Sequence, residues 1–354
     1  MVRPWLRNPL YDVLLLAFCW VPVYLWVVFG LGLGGAAIGL EPLHRAEAGE
    51  ALALATMVVL GLTWIHRHYT FVLVYGDRAT FGQRSWAYVL SPLIVFGTAV
   101  FLLTLEGQIQ LFGASVRPFS LMLVAGGVWN IWHTIQQRYG ILRAYAGKAG
   151  GSLRDRAHGR RDRILLWTLV VALAVALPAV RARTFMEHPN AWRVFTAIAP
   201  IVNHPAYWGV LAATFAGTAG IVWWWWRHER EASVDRLPRW IFLGSTIALL
   251  LVFVVHGPIV GYLCFGAAHA LEYVAFVHNH AEKKWFGRAE RGLASVLLGK
   301  PMAFAPILIA GFGLAFLAFR AERGSEVYLA YYIGSSMLHF LYDGWIWKSP
   351  RRKA

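Results

Sequence analysis

Three observations make this chain an all-α, polytopic membrane protein, expected to form a single transmembrane helical domain over residues 1–354. Its 354 residues are 58% apolar and only 14% charged, whereas soluble domains are about a quarter charged. The apolar residues come in runs of about 18–25, the length that crosses roughly 30 Å of hydrocarbon. The 33 lysines and arginines outnumber 18 acids, and they gather between the runs.

Reading the runs between charged or Gly/Pro-rich breaks gives about ten spans: 10–34, 50–66, 86–104, 119–139, 163–180, 205–226, 239–256, 258–280, 301–319 and 326–347. The first follows a basic leader, Met1 to Arg7, and is longer than a signal-peptide core. It has no clear small-x-small cleavage site and is expected to be a retained anchor. The sixth ends in Trp223 to Trp226 just before Arg227, the composition of an interfacial aromatic belt. The seventh and eighth are separated only by His256-Gly257-Pro258.

Loop charge supplies the orientation. The connections 35–49, 105–118 and 320–325 carry few basic residues or balance them with acids. Those holding Arg78 and Arg84, Arg143 to Arg163, Arg227 to Arg239 and Lys283 to Lys300 are basic, as is the tail Lys348 to Lys353. The 181–204 loop, with Arg181, Arg183 and Arg193, is a mild exception, long enough for a short amphipathic piece on the outer surface. The positive-inside rule then puts both termini in the cytoplasm, with even-numbered spans running from outside to inside. The expected location is a bacterial inner membrane, with a basic cytoplasmic loop near 144–162. In this setting the net charge of +15 serves topology and anionic headgroups, and nucleic acid is not an expected partner. The two cysteines, Cys19 and Cys264, both fall in apolar spans and offer neither a disulfide framework nor a thiolate site.

Thirteen histidines are present, and those inside spans cluster on the even-numbered ones, near one membrane face. A histidine in lipid is costly unless paired, hydrated or bound to metal. His66 and His68 end the second span; two residues apart is about 200° on a helix, so both face one site only if the helix unwinds. Snorkelling at the interface is the alternative for them. On the fourth span Asn130, His133 and Gln137 follow i, i+3, i+7 spacing and form a polar stripe that must point into the bundle, as a ligand face or as interhelical hydrogen bonds. Gln136 and Gln137 are weaker ligand candidates there.

The eighth span carries His269 and Glu272 at i, i+3, the spacing by which di-metal carboxylate bundles place two ligands on one face. His280 returns to that face eleven residues after His269, while His278 falls nearly opposite and belongs to the end of the span. Glu272 is expected to bind or bridge metal, with pairing to a cation or a proton relay as the alternatives. On the tenth span His339 and Asp343 are i, i+4; Asp343 is a ligand or the carboxylate that orients a ligating imidazole, and a metal-free His–Asp hydrogen bond is the other reading. The expected ligands are therefore His66, His68, His133, His269, Glu272, His278, His280 and His339, supported by Gln137 and Asp343. Imidazole and carboxylate donors suit iron, zinc, manganese or copper, and their number suits two iron ions. His44, His158, His188, His204, His228 and His256 are expected to be structural or solvated.

The layout of His66, His68, His133, His269, His280 and His339 resembles the histidine-rich integral-membrane di-iron oxygenases, the desaturases, hydroxylases and alkane monooxygenases. More loosely it is similar to the Brp/Blh-type carotene dioxygenases. The desaturase boxes, His-x₃₋₄-His and His-x₂₋₃-His-His, are absent, so the resemblance implies a chemical class and assigns no catalytic residue. That class is an O₂-dependent, metal-containing oxidoreductase acting on a lipid, hydrocarbon or isoprenoid, with an electron-donor protein as partner. Tyr139, Tyr273 and Tyr342 are candidate hydrogen-bond donors beside such a centre, and Arg138, Arg143 and Lys148 are candidates for holding a headgroup phosphate. Two other classes compete: a haem-binding, cytochrome b-like electron carrier, which needs only two axial histidines, and an ion- or proton-coupled transporter using His269, Glu272, His339 and Asp343.

Overall fold

The structure, a computed structural model, describes residues 4–34, 45–111, 114–186, 199–232, 234–287, 292–322 and 324–347. The connection containing His44, residues 187–198 of the 181–204 loop with His188, Arg193 and the amphipathic piece expected there, and the tail from Lys348 onward lie outside the described residues. Helices account for nearly all the rest. In chain order they are α1 (Pro9–Ala17) and α2 (Val21–Gly30), α3 (Arg45–Gly76), α4 (Arg78–Gly82), α5 (Ser85–Thr104), α6 (Phe119–Ala149) and α7 (Arg156–Met186). There follow α8 (Pro205–Glu231), α9 (Leu237–Trp285), α10 (Leu293–Leu298), α11 (Ala305–Arg320) and α12 (Glu326–Ile346). A small antiparallel hairpin, β1 (Ile109–Leu111) and β2 (Ala114–Val116), pairs Ile109 with Val116.

Caps explain several starts. Asn8 accepts from the Tyr11 amide at 2.8 Å with Pro9 in the first turn, and Ser325 accepts from the Tyr328 amide at 3.1 Å; each satisfies a donor that has no intrahelical partner. Among the described residues, six helical stretches are long and apolar enough to cross a membrane: Gly49–Gly76, Ser85–Thr104, Arg156–Ala179, Pro205–Glu231, Leu237–Trp285 and Met302–Arg320. The pair α1 and α2, bent by 47°, makes a seventh if it is one span. Such helices suggest a membrane protein. The helices α6 and α12 are long enough but more polar, because they carry Asn130, His133, Gln136, Gln137 and Arg138, and Ser335, Ser336, His339 and Asp343.

The chain divides into two compact units, residues 1–59 with 135–272 and residues 60–134 with 273–354. In the first unit, α9 folds back on itself. Gly257 has φ 86° and ψ 172°, a conformation open to glycine, and Pro258 follows. If α9 were straight, Ser245 and Ala268 would stand about 35 Å apart. Instead Trp20 Nε1 donates to Ser245 Oγ at 3.0 Å while Cys19 Sγ lies 3.9 Å from the Ala268 carbonyl. Arg138 makes the same point, donating to Thr246 Oγ1 at 2.7 Å through Nη1 and to Glu272 Oε1 through Nη2. The arms of α9 are therefore a tight helical hairpin, which accounts for the short break between the seventh and eighth apolar runs.

The first unit also holds a buried ion network at the basic ends of its helices. Arg239 donates to Glu229 Oε1 at 2.6 Å, to Asp162 Oδ1 at 2.8 Å and to the Leu142 carbonyl at 2.9 Å. Trp225 Nε1 adds a bond to Asp162 Oδ1 at 3.0 Å. The tryptophan tetrad thus splits, Trp225 buried on Asp162 while Trp223 and Trp226 stay exposed.

In the second unit α12 is the central element. Its contacts with α5 run antiparallel, Tyr88 against Tyr342 and Trp345, and Phe96 against Tyr331. Those with α3 run parallel: Thr63 bonds Tyr332 at 2.9 Å and Thr70 bonds Asp343 at 3.1 Å. Those with α6 are parallel too, Phe119 and Met122 packing near Ala330 and Trp129 near Phe340. The α9 segment from Tyr273 onward follows the same direction, Tyr273 meeting Asp343 and His280 meeting Trp347. The even-numbered spans in this unit therefore run the same way, opposite to α5.

Candidate metal centre

The second unit brings His66, His133, His339 and Asp343 together. His66 lies on α3, which stays helical through Gly76; its Nε2 is 3.0 Å from His339 Nε2. His133, on α6, places Nε2 3.5 Å from Asp343 Oδ2, and its ring centroid is 4.9 Å from that of His339. One turn before Asp343 on α12, His339 sets Nε2 3.8 Å from Asp343 Oδ2. One donor atom from each of His133, His339 and Asp343 lies within 4.8 Å of the other two. All four residues are buried.

Thr70 and Tyr273 hold this group in place. Tyr273 Oη donates to Asp343 Oδ1 at 2.6 Å, and Thr70 Oγ1 donates to the same oxygen at 3.1 Å. Thr70 Oγ1 also lies 2.7 Å from His339 Nδ1 and 2.5 Å from Tyr273 Oη. With its own proton directed to Asp343, the threonine oxygen accepts from His339 Nδ1–H. The imidazole is then the Nδ1–H tautomer, and Nε2 presents its lone pair toward the other donors.

The donor set fits a first-row divalent ion. Metal–nitrogen distances of about 2.0–2.1 Å place neighbouring ligand atoms roughly 2.9 Å apart at right angles and 3.4 Å apart at tetrahedral angles. The separations of 3.0, 3.5 and 3.8 Å lie close to that range. Asp343 Oδ1 is held by Thr70 and Tyr273, which leaves Oδ2 directed at His133 and His339, the arrangement by which a supporting hydrogen bond orients a metal ligand.

His68, His278 and His280 take other contacts in this unit. His68 faces away from His66, as the 200° spacing requires when α3 does not unwind. Its Nδ1 is 2.7 Å from the Trp64 carbonyl and its Nε2 is 3.1 Å from Tyr331 Oη, while the ring stacks near Trp64 at 4.4 Å. Both nitrogens are engaged, so His68 is an anchoring residue between α3 and α12. His278 sets Nε2 3.1 Å from the Lys300 carbonyl, and His280 is exposed beside Trp347 with ring centroids 5.3 Å apart.

His269, Glu272 and Gln137 belong to the first unit. There Gln137 Nε2 donates to the His269 carbonyl at 3.0 Å, a backbone contact, and Glu272 takes the cation it needs from Arg138, both side chains fully buried. Of the readings open to Glu272, pairing with a cation is the one its contacts match. Arg138 is thus unable to serve as a headgroup ligand. Among the candidate tyrosines Tyr273 sits at the centre. Tyr139 lies under the Arg163 guanidinium at 4.8 Å, and Tyr342 bonds Tyr75 at 2.6 Å and Ser91 at 3.0 Å. The remaining described histidines make structural contacts: His256 with Tyr24 at 2.9 Å, His228 with the Trp224 carbonyl at 2.8 Å, His204 as the cap of α8, and His158 beside Glu229 at 3.5 Å.

Sequence reasoning missed Thr70 and Arg67. Thr70 is four residues after His66, on its face, a spacing that was available as a signal. Arg67 is buried and binds the Thr63 carbonyl at 2.8 Å, the Tyr332 carbonyl at 2.7 Å and Ser336 Oγ at 2.6 Å, which locks α3 in register with α12. Comparison with family models, curated proteins and solved structures finds no match to this chain.

Proposed function

We propose that this is an integral-membrane, non-haem iron oxidoreductase that uses O₂ on an apolar lipid, hydrocarbon or isoprenoid substrate. The observation that carries the reading is the His133–His339–Asp343 triad, with His66 beside it. Two imidazoles and one carboxylate with open positions suit a non-haem Fe(II) oxygenase, and zinc and manganese are the competing ions. Iron held this way supplies O₂ activation. The chain's own part is orientation of His339 by Thr70, of Asp343 by Thr70 and Tyr273, and exclusion of water by the apolar helices. For a hydroxylation, O₂, two electrons from a donor protein and two protons convert R–H to R–OH and water. The proposed setting is a bacterial inner membrane with about ten spans and both termini cytoplasmic.

A second reading draws support from the continuous hydrogen-bond chain from His66 through His339 and Thr70 to Asp343 and Tyr273, which is also a proton path for a transporter. Metal analysis separates the two. Protein purified without chelator and reloaded with Fe(II) should hold stoichiometric metal and show no Soret band, and His133→Ala, His339→Ala and Asp343→Ala should each remove most of it while still inserting. A metal-free wild-type protein that conducts protons in liposomes would replace the oxidoreductase by the transporter, and a Soret band would replace it by a haem carrier.

A further inference from the structure

At the basic end of the first unit, Tyr139, Arg143, Arg154, Arg156, Gly159, Arg160 and Arg163 line a cleft of about 490 Å³, within the size of ligand sites. We infer that this cleft binds a phosphate-bearing group at the membrane surface, an anionic phospholipid headgroup first of all. The reading is independent of the metal centre.

Charge is the first argument. Arg143 is engaged, donating to Asp162 at 3.1 Å and to the Leu153 and Arg154 carbonyls at 2.7 and 2.9 Å. Arg154, Arg156, Arg160 and Arg163 are exposed, and none has a carboxylate within ion-pair distance among the described residues. The acids nearest in sequence are the exposed Asp155 and the buried Asp162, which is already shared by Arg143, Arg239 and Trp225. Guanidinium groups of one sign around a small cleft repel one another, and an anion between them removes that cost. The planar, five-donor guanidinium also matches phosphate oxygens two at a time.

Backbone geometry is the second. The cleft includes the first turn of α7, whose amide groups and dipole favour an anion. Gly159 lets the floor close: a Cβ there would sit 3.2 Å from Tyr139 Oη and 3.3 Å from Arg143 Nε.

Position is the third. Arg161, on the same turn of α7, lies 5.8 Å over Trp224, and Asp162 accepts from Trp225. The neighbouring Trp223 and Trp226 are exposed and are covered by Arg227 and Arg230 at 5.8 and 4.6 Å. A Trp–Arg belt of this kind marks headgroup depth. The cleft therefore opens at the level where lipid phosphates lie, and basic recesses on the cytoplasmic side are the places where anionic lipids are held.

The test uses full-length protein in nanodiscs of phosphatidylcholine alone or mixed with phosphatidylglycerol, with Tm and the lipid retained on extraction as readouts. Phosphatidylglycerol should raise Tm in the wild type and in a control variant, Arg78→Gln/Arg84→Gln/Lys300→Gln, whose residues are exposed outside the cleft. It should not do so in Arg154→Gln/Arg156→Gln/Arg160→Gln, which should retain about tenfold less of this lipid. The matching Arg→Lys variant, which preserves charge and helix content, should fall between. In phosphatidylcholine discs, a Tm increase with inorganic phosphate in the wild type but not in the cleft variant would support the same site with a soluble phosphate compound as its ligand. Equal loss in cleft and control variants, or no difference between wild type and cleft variant in either arm, would overturn the proposal.

Discussion

Thr70 Oγ1 lies within hydrogen-bonding distance of His339, Tyr273 and Asp343. Removing this hydroxyl takes away one bond to His339 Nδ1 and one donor to Asp343 Oδ1, although the side-chain volume hardly changes in Thr70→Val. Metal affinity should then fall by about 10–100-fold, while Thr70→Ser retains most of it. Chelator competition on the purified proteins reads this directly, and equal affinities would remove Thr70 from the proposed centre. His339 and Asp343 were legible from their i, i+4 spacing and His133 from its polar stripe. His68 was not, because its role depends on a carbonyl and a tyrosine hydroxyl brought up by the fold. The cation for Glu272 was equally hidden: Arg138 lies among residues that resemble topology anchors, and only the meeting of α6 with α9 reveals its buried bond.

Elements repeat that contrast. The break at His256-Gly257-Pro258 was visible as two helix-breaking residues, and the structure turns it into a reversal, with φ 86° at Gly257. A side chain at that dihedral is strained, so Gly257→Ala should destabilise the protein by about 1–3 kcal/mol, read as a lower Tm in detergent. An unchanged Tm would mean that the reversal does not need glycine there. By contrast α6 and α12 fall below the apolarity of their neighbours because they carry the polar residues of the interior. Hydropathy alone therefore undervalues the helices that build the site, whereas histidine and aspartate spacing recovers them. The tryptophan tetrad shows the limit of composition: four identical residues in a row take different roles because a helix turns each by about 100°.

For the molecule as a whole, the sequence supplied the long apolar helices and the shared direction of the even-numbered ones. For the four in the second unit that direction now rests on contacts, parallel among α3, α6, α12 and the end of α9, and antiparallel for α5. Loop charge then predicts the absolute orientation. In a background without Cys19 and Cys264, both buried, Ser152→Cys should react with an impermeant maleimide from the cytoplasmic side and Gln108→Cys from the outer side. The reverse pattern would invert the proposed topology. The α9 hairpin has a consequence for how the protein is made. Its arms are joined without a loop and bridged by one guanidinium, so they are expected to enter the bilayer as a pair, and separating them would leave Arg138 and Glu272 as lone charges in hydrocarbon.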